Sequence, residues 1–117
     1  MTKKPRAIEF ATEHFSSQKV RKIVVPEWKD SSGKSLEIFV KPMTLAEKRR
    51  LYKGTKSDDI TVLIDLIIMK ARDEDNNRLY SPDDKDTFLF QVDPDVLSRV
   101  AEEIMVAPTP EDLEKNL

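Results

Sequence analysis

Between residues 18 and 41 the chain alternates apolar and polar positions with the period of a strand. "QKVRKIVVPEW" alternates around Val20, Lys22 and Val24 and is rich in β-branched residues. "SLEIFVKP" sets Leu36, Ile38 and Val40 on one face against Glu37, Phe39 and Lys41 on the other. Between them "KDSSGK" has turn chemistry, with Gly33 free to take a positive φ. A β-hairpin is the expectation. The pattern then changes period. Thr44 with Glu47 three residues on forms a capping box, the Thr hydroxyl accepting from the third helical amide while the Glu reaches back, so a helix should run from about Leu45 to Lys53 and stop at Gly54. A second helix should restart at Ser57, where Asp58 and Asp59 favour the positive helix end. Its Ile60, Leu63, Ile64, Ile67 and Ile68 recur at helical spacing, and it is expected to be the central helix.

Two further helix starts carry the same device. Ser81 followed by Pro82, and Asp93 followed by Pro94, each place a capping side chain before a proline at the first helical position. In the second of these helices Val96, Leu97, Val100, Ala101 and Ile104 make an apolar face. At the front of the chain Ile8, Ala11 and Phe15 fall on one side of a short helix. Polar flanks and the lack of a cap leave residues 1–16 as a weakly ordered arm. Residues 17–107 then form a single α+β domain, a small antiparallel sheet followed by about four short helices that cover one face of it. Residues 108–117 form an acidic, mobile tail that caps once more at Thr109. An isolated hairpin is marginal in water, so helices or a neighbouring subunit must cover it.

At 117 residues the chain suits one modest core. Charged residues make up 36% and hydrophobic ones 38%, which points away from both a disordered chain and a membrane protein. The longest apolar run, "ITVLIDLIIMKA", is broken by Asp65 and falls short of the roughly 20 residues a membrane span needs. The chain has no cysteine, which removes disulfides and thiolate metal sites. No apolar stretch follows the early lysines as a secretory signal requires, so a cytoplasmic protein is expected.

The net charge of −2 conceals a division: residues 1–56 hold 14 Lys/Arg against 6 Asp/Glu, and residues 57–117 hold 6 against 16. Lys19, Arg21 and Lys22 with Lys48, Arg49 and Arg50 could build a nucleic-acid patch. Aromatic residues do not interleave with them, however, and attraction between the two halves, within one domain or between subunits, is the favoured reading. A small nucleic-acid-associated or regulatory protein remains the alternative function.

Candidate chemistry is sparse. Asp73, Asp75 and Asn77 occupy the first, third and fifth positions of a calcium loop. Yet Arg78 stands where the sharp turn needs glycine, and Asp84 replaces the bidentate Glu, so the stretch is read as a solvated loop leading into the Ser81 cap. His14 has no second histidine with which to build a catalytic or metal site, and the two glycines cannot form a phosphate-cradling loop. The expectation is a binding protein, not an enzyme, with no metal and no cofactor. Phe88 and Phe90 lie on adjacent faces of one short helix and can hardly both be buried. Together with Trp28 and Phe39 they are the candidate partner-binding or self-association residues.

Three stretches give the sequence a wider likeness: "VPEW" at Val25 to Trp28, "PMTLAE" at Pro42 to Glu47, and the loop from Asp73 to Asp84. In their order and spacing, over about Val24 to Asn116, they resemble the tail assembly chaperones of long-tailed bacteriophages and prophages. The resemblance implies a protein of the host bacterial cytoplasm, missing from the mature virion, that coats and solubilises the tape measure protein and helps recruit tail tube subunits. It also implies self-association into a homo-oligomer and a longer, frameshifted form of the same chain. The terminal "EKN", Glu114 to Asn116, is compatible with a slip site. The basic, Phe-containing N-terminal arm has no counterpart in that pattern.

Overall fold

The computed structural model describes residues 6–53 and 60–106. The expected stop at Gly54, the cap at Ser57 with Asp58 and Asp59, and the tail with Thr109 lie outside the described residues. In chain order the elements are α1 (Ala7–Ser17), β1 (Arg21–Lys29), β2 (Ser35–Val40), α2 (Leu45–Tyr52), α3 (Val62–Lys70), a 3-10 turn (Pro82–Asp84), α4 (Lys85–Phe90) and α5 (Pro94–Met105). The architecture is α+β, and α1 precedes the hairpin.

Strands β1 and β2 pair antiparallel, with Arg21 opposite Val40 and Val25 opposite Leu36. The register then slips between Val25 and Lys29. The slip contains Pro26, which has no amide to donate and is tolerated because β1 is an edge strand of this two-stranded sheet. The hairpin turn is organised by Asp30, whose Oδ1 accepts from the amides of Ser32 and Lys34 at 2.9 and 3.0 Å and from the Ser32 hydroxyl. Gly33 takes φ 87°, where a side chain would be strained.

Ile38 and Val40 of β2 face the core as their alternation requires, joined by Ile23 and Val25 of β1. Val20 and Val24 take the outer face and are about half exposed. Helix α3 is the central helix. Ile64, Leu66, Ile67 and Ile68 are all buried, which explains an apolar run with little amphipathic character. Ile60, expected on the apolar face of this helix, instead sits in the turn before it and is 70% exposed. Helix α5 buries Val96, Leu97, Val100, Ala101 and Ile104 against α3 and β1. Two contacts align it antiparallel to β1. The Arg21 guanidinium donates to the carbonyls of Glu103 and Ile104 at 2.8 Å, satisfying acceptors left open at the helix end, and Arg99 pairs with Glu27.

The Thr44 capping box forms as the sequence implies, with Glu47 N to Thr44 Oγ1 at 3.0 Å and Thr44 N to Glu47 Oε1 at 3.0 Å. It also anchors a charge that sequence spacing does not reveal. Lys70, only 5% exposed, extends its ammonium from α3 to both Glu47 oxygens at 3.1 and 3.2 Å and to the Pro42 carbonyl at 3.4 Å. Burial works to raise the Glu47 carboxyl, but the Thr44 amide and the Lys70 ammonium outweigh it and hold it below its usual range. The expected helix at Ser81 begins as the 3-10 turn and continues as α4. Helix α1 occupies most of the arm, yet none of its residues is buried. No helix among the described residues is long and apolar enough to cross a membrane.

Candidate partner-binding surface

The surface is built where the slipped end of β1 meets the loop after α3. Trp28 follows the irregularity at Pro26, and its indole lies partly buried against the core. Phe88 of α4 approaches it with ring centroids 6.5 Å apart, and Tyr80 meets Phe88 edge to face at 4.9 Å. The edge-to-face Tyr80–Phe88 pair is an arrangement that aromatic quadrupoles favour, while the Trp28 and Phe88 rings are tilted at 49°. The three rings, with Thr87, Gln91 and Val92, line an open groove of about 330 Å³ whose rim holds Asp84 and Asp93. That is within the size range of ordinary ligand pockets, about 300–1,000 Å³.

Trp28 is also a wall of a second, wider groove of about 770 Å³ floored by Leu36, Phe39 and Leu79. Phe39 is half-buried on the outer face of β2. Its backbone exchanges hydrogen bonds with Arg72, at 2.8 Å from Phe39 N and 3.1 Å from Arg72 N, so the chain leaving α3 extends the sheet by one bridge. The following loop closes on Asp73. Its Oδ1 accepts from the amides of Asp75 and Asn77 at 2.9 and 2.8 Å, and Oδ2 from the Asn77 side chain at 3.2 Å. Asn76 takes φ 68°, the left-handed position that Asn tolerates. The carboxylate that would open a calcium loop thus organises the turn, and the Asn77 amide above all holds its pKa below the usual range. Among the described residues no three His, Asp or Glu gather as metal ligands would.

The four candidate residues therefore part company. Trp28 and Phe88 meet at the first groove, Phe39 floors the second, and Phe90 is 81% exposed on the opposite side of α4 from the buried Phe88. Sequence reasoning missed Tyr80 and Val92. Tyr80 stands in the Asp73–Asp84 loop, whose acidic spacing drew attention away from its one aromatic residue. Burial, and secondarily Asp84, raise the Tyr80 hydroxyl, so it stays a proton donor at neutral pH.

The flank of the surface is tied by Arg99, which donates bidentately to Glu27 at 2.6 and 2.5 Å. This hydrogen bonding draws the Glu27 carboxyl down to about 2. Acidic groups dominate the two grooves: Asp73, Glu74, Asp84 and Asp93 stand against Lys29 and Lys34. Arg21 serves the end of α5, Lys22 pairs with Glu37 at 3.0 Å, and Lys48, Arg49 and Arg50 lie on the exposed side of α2. The surface offers aromatic walls, aliphatic floors and an acidic rim, which suits an apolar stripe bordered by positive charge.

No protein-family model, curated protein or solved structure matches the chain.

Proposed function

We propose that the protein is a tail assembly chaperone of a long-tailed phage or prophage. It holds the tape measure protein in soluble form in the bacterial cytoplasm and helps to bring tail tube subunits to it. Its role is binding without catalysis, and a longer frameshifted form would add a second module to the same surface. One observation supports this reading most. Two of the three stretches that carry the sequence resemblance, residues 25–28 and 73–84, come together at Trp28 and line both grooves through Glu27, Asp73, Glu74, Leu79, Tyr80 and Asp84. The third, at Pro42–Glu47, is spent on the buried Lys70 contact and supports the scaffold.

A long tape measure helix exposes apolar stripes that would aggregate before the tube forms around them. An aromatic groove with an acidic rim can cover such a stripe and discourage contact with nucleic acid. The test is co-expression with the tape measure protein, comparing the unaltered chain with the Thr87→Arg/Gln91→Arg pair, which crowds the first groove from exposed positions on its rim. The chaperone should keep the tape measure protein in the soluble fraction and the double variant should not. Equal solubility with and without the chaperone would sink the proposal.

A further inference from the structure

Helix α1 is amphipathic, and none of its residues is buried. Winding at 100° per residue places Ala7, Ile8, Phe10, Ala11 and Phe15 within one half of its circumference and Glu9 and Glu13 in the other. Ile8 and Phe10 are 57% and 59% exposed, and Phe15 is 40% exposed. A short helix with an uncovered apolar face gains little by forming alone, so its stability calls for a surface that accepts that face. The Trp28–Phe88 groove has the complementary character. Its walls are aromatic and its rim holds Asp84 and Asp93, with Asp83, Asp86 and Asp95 exposed nearby in the chain. The arm brings the opposite charge: Lys3, Lys4 and Arg6 immediately precede its apolar face.

We infer that the groove of one copy receives α1 of a second copy, so that the chain associates with itself by exchange of N-terminal arms. The arm's own groove is poorly placed to receive it. The arm leaves the domain at Arg21, whereas Trp28 stands at the other end of β1, about 23 Å away at 3.3 Å per residue. Helix α5 already lies along β1 between those points, held by Arg21 at one end and by Glu27 through Arg99 further along. Exchange makes the grooves of a free chaperone self-occupied, and a client helix must displace α1 to enter. The inference rests on the groove being a helix-binding surface, as proposed above, but not on the identity of the client.

The decisive experiment is sedimentation of the full chain across the micromolar range, with the fluorescence of the single tryptophan followed in parallel. The unaltered protein should associate with increasing concentration while Trp28 emission shifts to the blue. Phe10→Ser/Phe15→Ser, altering two exposed positions, should weaken association at least about tenfold per lost anchor without changing the urea-unfolding curve at concentrations where both proteins are monomeric. A synthetic peptide of residues 1–17 added to that variant should restore the blue shift. Thr87→Arg/Gln91→Arg should associate as weakly as the arm variant, and its Trp28 should ignore the peptide. A monomer at all concentrations would overturn the inference, as would a blue shift independent of concentration, which would place α1 in its own groove. Undiminished association of the arm variant would also overturn it. Because the arm variant keeps its groove intact, it should still solubilise the tape measure protein, and a failure of exchange is thereby separated from a failure of the client reading.

Discussion

Phe88 and Phe90 stand two residues apart on the same short helix and should respond to the same substitution in opposite ways. Phe88 is 6% exposed and touches both Trp28 and Tyr80, at centroid distances of 6.5 and 4.9 Å. Phe-to-Ala changes at buried sites cost about 3–5 kcal/mol. Because one side of Phe88 borders an open groove, water can fill part of the space left behind, and the lower end, about 3 kcal/mol, is expected. At about 4 °C per kcal/mol for a domain near this size, Phe88→Ala should lower Tm by about 12 °C. Phe90 is 81% exposed, so Phe90→Ala should leave stability within about 0.5 kcal/mol of the parent. Urea and thermal unfolding followed by circular dichroism measure both. A loss below about 1 kcal/mol for Phe88→Ala, or above about 1.5 kcal/mol for Phe90→Ala, would refute the division of α4 into a core side and an exposed side.

Three other contacts make separate predictions. The Glu27 carboxyl lies near 2 in the folded protein against an ordinary 4.5, so its pairing with Arg99 adds stability above pH 4.5 that is lost as pH falls from 4.5 towards 2. The Tm difference between the parent and Glu27→Gln should therefore narrow over that window, and also in high salt because both partners are largely exposed. Glu47→Ala removes the capping box and leaves the Lys70 ammonium without its carboxylate, and should cost about 2 kcal/mol in urea unfolding. Glu47→Gln, which keeps an oxygen for the Thr44 amide, should cost less. Asp73→Ala should speed amide exchange at Asp75 and Asn77, whose protons it accepts, and addition of calcium or a chelator should leave the parent's unfolding curve unchanged.

Features set by neighbours in sequence were legible before any coordinates. Thr44 and Glu47 lie one helical turn apart, so the capping box could be read from their spacing, as could the hairpin from its β-branched strands and the turn around Gly33. Features set by distant residues were not. Lys70 reaches Glu47 across 23 positions, and nothing near Lys70 in the chain hints that it will be buried. The strand slip at Pro26 was equally hidden, because a proline marks an edge without fixing the register beyond it. That slip decides where Trp28 lies. The aromatic groove was only half legible: Trp28 and Phe88 stood out as aromatic residues that so small a domain can hardly bury in full, but their meeting depends on packing among β1, the 3-10 turn and α4. Tyr80 was overlooked because neighbouring acidic residues suggested different chemistry. The apolar side of α1 was visible in Ile8, Ala11 and Phe15, but its exposure was not, because it depends on which distant surfaces the fold brings to the arm.

In the proposed function, the Trp28 face is where a client helix is held. The most direct measurement places a photo-reactive amino acid at Gln91, exposed on the lining of the Trp28 groove, in the protein co-expressed with the tape measure protein, and identifies the cross-linked peptides by mass spectrometry. Cross-links are expected from position 91 to apolar, helix-forming segments of the tape measure protein, and few from a control probe at Arg49 on α2. Cross-links from Arg49 to nucleic acid or to the tape measure protein, with none from position 91, would contradict the proposed binding face.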